Sequence, residues 1–220
     1  MSVLISLRDI LTLGGPVVAI LMVMSVLTVA VSLYKLWQYA ACGVGRHKIL
    51  SQALQAWDEG DRATARTRLS KSSSYLAPLV EVAMYAPDTP DLDARLDAEA
   101  GLALAKLERG FRLLDTVAQI APLLGLFGTV LGMIDAFQSL QSAGSSVDPS
   151  LLAGGIWVAL VTTAAGLAVA MPTSMVLSWF ESRTARERVF ADKALRTVLV
   201  PGQSIKPEPS AAQPLAAEHA

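Results

Sequence analysis

"GGIWVALVTTAAGLAVAMP", Gly154 to Pro172, runs for nineteen residues without a charge and carries two adjacent threonines, Thr162 and Thr163. At 1.5 Å rise per residue, about 20 apolar residues cross a bilayer. The stretch therefore reads as the centre of a membrane helix, within a charge-free run from Pro149 to Phe180. That run exceeds what a bilayer needs, so it tilts or emerges into water as helix. Two further runs qualify, Ile10 to Tyr34 and Thr116 to Ile134. Over the 220 residues 53% are hydrophobic and 17% charged, with a mean hydropathy of +0.46. That balance suits an integral membrane protein.

The first run competes with a secretory signal and with a lipoprotein signal ending at Cys42. A nearly absent basic leader, an overlong apolar run and the intervening Lys35 favour a retained helix. Gly14-Gly15-Pro16 marks its start, since proline fits a first helical turn. The basic residues set direction. Eleven Lys and Arg fall between Lys35 and Arg112 and six from Arg183 to Lys206, against Arg8 alone before the first run. The segment Gln138 to Ser150 has none. The positive-inside rule then puts the N-terminus outside, in the periplasm, and the C-terminus in the cytoplasm.

The expected organisation is all-α. It has a periplasmic N-terminus and first span over 1–38, and a cytoplasmic helical region over 39–112. A second span over 113–140, a short periplasmic loop over 141–150 and a third span over 151–180 follow. A cytoplasmic helical extension occupies 181–200, and a Pro- and Ala-rich tail over 201–220 is expected to be disordered. Within the cytoplasmic region, residues 47–73 read as two helices about a turn at Glu59-Gly60-Asp61. Asp91 reads as a helix N-cap. From Leu92 an apolar stripe continues through Leu96, Ala100, Ala103, Leu107, Phe111 and Leu114. The sequence shows no breaker before Pro122, so one long helix is expected to run from the cytoplasm into the second span.

In the second span, Ala121, Gly125, Gly128, Thr129, Gly132 and Ala136 share a narrow helical arc. In the third, Gly155, Ala159, Thr162, Gly166, Ala170 and Thr173 do so, with Thr163 at its edge. Small residues let helix backbones approach closely. In an arbitrary membrane helix such packing, with each hydroxyl bonded to its own backbone, accounts for all of them. Depth adds a second reading. Thr129 and Thr163 stand equally far from the loop centre near Ser146, each about 17 Å below the outer surface. Two hydroxyls at one level suit a hydrated constriction for protons or small cations.

Enzyme chemistry fares worst. "GLFGTVLG" superficially resembles a phosphate loop, but it lies inside an apolar span. One cysteine, Cys42, excludes an intrachain disulfide framework, and the two histidines, His47 and His219, are far apart. No catalytic residue, metal site, cofactor or nucleic-acid partner is expected.

"APLLGLFGTVLGMIDAF" (Ala121 to Phe137) and the opening stretch together resemble the two signature helices of the ExbB/TolQ/MotA proton-channel family. Three spans resemble its ExbB/TolQ branch more than its MotA branch. The resemblance implies a pentameric ring in a bacterial inner membrane. It implies an ExbD/TolR-type single-span partner bearing a membrane aspartate, a TonB-type protein beyond it, and energy drawn from the proton-motive force. It places Thr129, Thr163 and Thr162 on the ion pathway, with Gly125, Gly128, Gly132, Gly155, Ala159 and Gly166 packing the helices. Pro122 and Pro172 match the family's helix prolines and are expected to kink their helices. One position departs: the family pattern reads "GIWEAL" or "GISEAL", and Val158 stands where it has glutamate. Valine cannot titrate, so a non-conducting scaffold that holds partner helices is the alternative reading.

Overall fold

The computed structural model describes residues 2–87, 91–142 and 149–202. Residues 143–148 of the loop expected over 141–150, and the expected tail beyond Gly202, fall outside them. Among the described residues there are seven helices and no strand: α1 (Ser2–Ala41), α2 (Lys48–Asp58), α3 (Arg62–Leu69), α4 (Ala77–Tyr85), α5 (Leu92–Glu108), α6 (Phe111–Ser142) and α7 (Pro149–Leu199). Three are long and apolar enough to cross a membrane, over Gly15–Ala41, Phe111–Ser142 and within Leu152–Leu199. The chain is an all-α, multi-pass membrane protein.

Two compact units are present. The membrane unit comprises Met1–Val44 and Gly101–Val189; the second comprises Gly45–Ala100 with the segment from Phe190. In the membrane unit, α1 buries Val17, Val18, Leu21, Thr28, Lys35 and Tyr39, spaced at helical intervals, while Val23, Val26, Leu33 and Trp37 are exposed. An apolar helix exposed on most of its surface faces lipid. At Gly15 the backbone leaves helical geometry (φ 60°, ψ −160°) and Pro16 opens the membrane segment. The expected start at Gly14 to Pro16 is therefore a break between two helical stretches, because the chain is helical again before Gly15.

The continuous helix expected from Leu92 through Pro122 does not form. It stops at Glu108 and restarts at Phe111, with Gly110 at φ 93°. Glycine in the left-handed region is a common helix terminator because other residues strain there. The Gly110 carbonyl then accepts from the Leu113 and Leu114 amides, which starts α6. The break is held from outside. Lys35 Nζ donates to the Leu107 carbonyl at 2.9 Å and to Gln38 Oε1 at 2.8 Å, and sits 5.7 Å from the Phe111 ring centre. A carbonyl freed at the end of α5 thus meets a cation, the favourable sign for a helix C-terminus.

The second unit has its own core, in which Leu50, Ala53, Trp57, Ala65, Leu76, Val80, Leu96, Ala194 and Leu195 are buried together. Trp57 Nε1 donates to the Val198 carbonyl at 3.2 Å, so even the indole N–H is satisfied. The turn before α3 carries Gly60 at φ 88°, and Asp61 accepts from the Thr64 amide at 3.0 Å as an N-cap. Hydrogen bonds from Thr64, its hydroxyl first and then its amide, hold the Asp61 carboxyl below its ordinary value. At the head of α5 the Asp91 carbonyl accepts from the Arg95 amide, as an N-cap residue's does.

Candidate ion-pathway site

Helices α6 and α7 pack along the two stripes of small residues. A methyl group added at Gly128 would meet Thr162 Cβ and Oγ1 at 2.7 Å, and one at Gly166 would meet the Ala121 carbonyl at 2.6 Å. At Gly155 it would collide with the Ala136 side chain. At Gly125 the nearest atom is the Thr162 carbonyl at 3.0 Å, and at Gly132 it is Ala159 Cβ at 3.3 Å. Backbones this close are what glycine and alanine at every turn permit. The contacts also set an antiparallel register: Ala121 and Gly125 with Gly166, Gly128 with Thr162, Gly132 with Ala159, Ala136 with Gly155.

The register puts Thr129, next to Gly128, at the level of Thr162 and Thr163. Thr162 and Thr163 share the Gly125 carbonyl, which Thr162 Oγ1 reaches at 3.4 Å, whereas Thr129 bonds elsewhere. Thr162 is buried, at 2% exposure, and its Oγ1 donates to the Ala159 carbonyl at 2.7 Å. Thr163, half-buried, donates across the seam to the Gly125 carbonyl at 3.2 Å. Thr129 lies outside the seam, and its hydroxyl bonds within α6 to the Leu126 carbonyl at 2.6 Å. There it borders an open groove of about 490 Å³ with Val130, Met133, Ile134, Phe137, Gln138 and Gln141. Within the chain, Thr129 and Thr163 therefore present different faces at one level.

Val158 is half-buried beside Ala159, which packs on Gly132. Pro122 and Pro172 both lie inside uninterrupted helices. After Pro172, Thr173 and Ser174 donate to the Val169 and Ala170 carbonyls at 2.6 and 3.0 Å.

The sequence reading named no site residue in α1. Thr28 and Ser32 bury hydroxyls that find no hydrogen-bond partner among the described residues, and Lys35 is buried one turn further along. The signal was present as Thr28, Ser32 and Lys35 at spacings of four and three in an apolar run.

Residues 56–192, more than half of the chain, match the MotA/TolQ/ExbB proton channel family. An ExbB-like biopolymer transport protein of Synechocystis is 32% identical over 164 residues, which cover 72% of this chain and 64% of the relative. The biopolymer transport protein exbB1 of Vibrio cholerae is 46% identical over 78 residues, 34% of each chain. The Tol-Pal system protein TolQ of Haemophilus influenzae is 42% identical over 72 residues, 33% of this chain and 31% of the relative. The chain thus spans less than two thirds of the length of each of these relatives.

Proposed function

This chain belongs to the ExbB/TolQ branch of the MotA/TolQ/ExbB proton channel family, and from that premise we propose that it is the ring-forming subunit of a proton-driven motor. In this reading it sits in a bacterial inner membrane with its N-terminus in the periplasm. Five copies surround the transmembrane helices of an ExbD/TolR-type partner, and the assembly energises outer-membrane work such as TonB-dependent uptake. The chain itself carries no catalytic role.

The observation that supports this best is Thr129. It is level with Thr162 and Thr163 by the register of the seam, yet it lies outside the packing stripe and beside an open groove. A hydroxyl placed there faces a neighbouring helix, where it can exchange hydrogen bonds with a carboxyl that protonates and deprotonates. Motion follows if the two protonation states of that carboxyl bind the ring differently. The test is proton flux through vesicles holding the chain with its partner. Thr129→Val is expected to lower the flux while the complex still assembles; unchanged flux overturns the pathway.

Val158 supports a second reading, a scaffold that holds partner helices without conducting. Under it the assembled complex shows no flux above empty vesicles, and Val158→Glu is the substitution expected to raise it.

A further inference from the structure

Apart from the seam between α6 and α7, the membrane unit carries a second groove, between α1 and α7. It is lined by Ser32, Leu36, Met175, Val176, Trp179 and Phe180, with a volume of about 310 Å³. Such a space equals about ten waters. Its walls are nearly all apolar, and apolar cavities stay dry. A helix, about 10 to 12 Å across with its side chains, is too thick to enter it. A hydrocarbon chain is not.

The groove has a polar end. It occupies the last turns of the apolar run before Glu181, where Trp37, Tyr34 and Trp179 all expose their rings (68%, 58% and 49%). Aromatic rings gather at the level of lipid headgroups. One turn beyond Trp179, Arg183 donates to the Val44 carbonyl at 3.3 Å, which fixes its guanidinium at the α1 side of the same seam. A guanidinium has five N–H donors in a fork that matches phosphate. Arg186 is exposed and follows on the same side of α7, whereas Glu181 points away from it at 100° per residue. Glu187, buried, lies one turn beyond Arg183 on the same side of α7, towards the end away from Trp179.

We propose that this groove holds one acyl chain of an anionic phospholipid of the cytoplasmic leaflet, with Arg183 meeting its phosphate. Membrane depth, apolar walls, an aromatic rim and a cation at the mouth occur here in the order that a phospholipid presents its own groups. The site would tie α1 to α7 through a lipid, independently of any ion pathway.

Trp179 supplies the readout. The full chain is reconstituted in vesicles of neutral lipid doped with phosphatidylglycerol or phosphatidylcholine carrying brominated chains. The quenching lost in Trp179→Phe isolates the signal of that indole. The expected result is about a five-fold preference for the anionic lipid, the scale for one basic residue near a membrane surface. Arg183→Gln brings the two lipids to parity, while Arg183→Lys and Arg188→Gln, the latter on another face, keep the preference. Three results overturn the site. These are parity in the unmodified chain, an equal loss in Arg188→Gln, which signals diffuse charge, and no quenching by either lipid, which signals that protein covers the groove.

Discussion

At the residue scale, Thr129 and Thr163 separate two jobs that a polar side chain in a membrane helix performs. Thr163 reaches across to the Gly125 carbonyl, whereas Thr129 bonds to Leu126 in its own helix. Thr163→Val therefore removes an interhelical bond, worth about 0.6 and up to about 1.7 kcal/mol in membrane proteins. Thr129→Val removes none. Thermal unfolding in detergent should show a loss for the first and almost none for the second. A loss of flux in Thr129→Val then reports on the pathway and not on folding. The glycines divide likewise. Gly166→Ala drives a methyl to 2.6 Å from the Ala121 carbonyl, whereas Gly132→Ala meets only the Ala159 side chain at 3.3 Å. Overpacking of the first kind costs about 1 to 3 kcal/mol. In the same assay Gly166→Ala is expected to melt clearly lower than Gly132→Ala; equal melting temperatures would refute the seam's register.

At the element scale, the spans and the small-residue stripes were legible because apolar length and helical periodicity are local properties. The break at Gly110 was not. A single glycine inside a helical pattern is usually tolerated, and the contact that holds the break here comes from Lys35, 72 residues from the Leu107 carbonyl. No window of sequence contains both. Similarly, the helical arc told Thr162 from Thr163 at its edge, but not that both hydroxyls reach the Gly125 carbonyl while Thr162 alone packs on Gly128. The α3 cap was half legible, since the turn at Gly60 was read but the Asp61 bond was not. Its titration is a test. A carboxyl held below its ordinary 3.8 stabilises the folded state above that value, and the contribution disappears as pH falls through the lower, folded value. The hydrogen-exchange protection of the Thr64 amide should fall below about pH 3.8 and vary less in Asp61→Asn, which keeps an acceptor without the charge.

At the scale of the whole molecule, the ends of the spans are chemically unlike. Seventeen of the eighteen Lys and Arg follow α1's apolar run or flank the other two on one side, and the segment between α6 and α7 has none. Loops rich in Lys and Arg favour the cytoplasm, and under the proposed orientation both the aromatic rim at Trp37 and Trp179 and the proposed lipid site belong to that leaflet. The chain carries a native reporter of this direction. Its one cysteine, Cys42, is partly exposed in the turn just after α1, beside the first of the basic segments. A thiol reagent that does not cross membranes should label Cys42 in inverted vesicles and leave it unlabelled in right-side-out ones, with Cys42→Ser as the blank. The opposite pattern would reverse every span. It would turn the Thr129 level's access for protons around and place Arg183 among the headgroups of the outer leaflet.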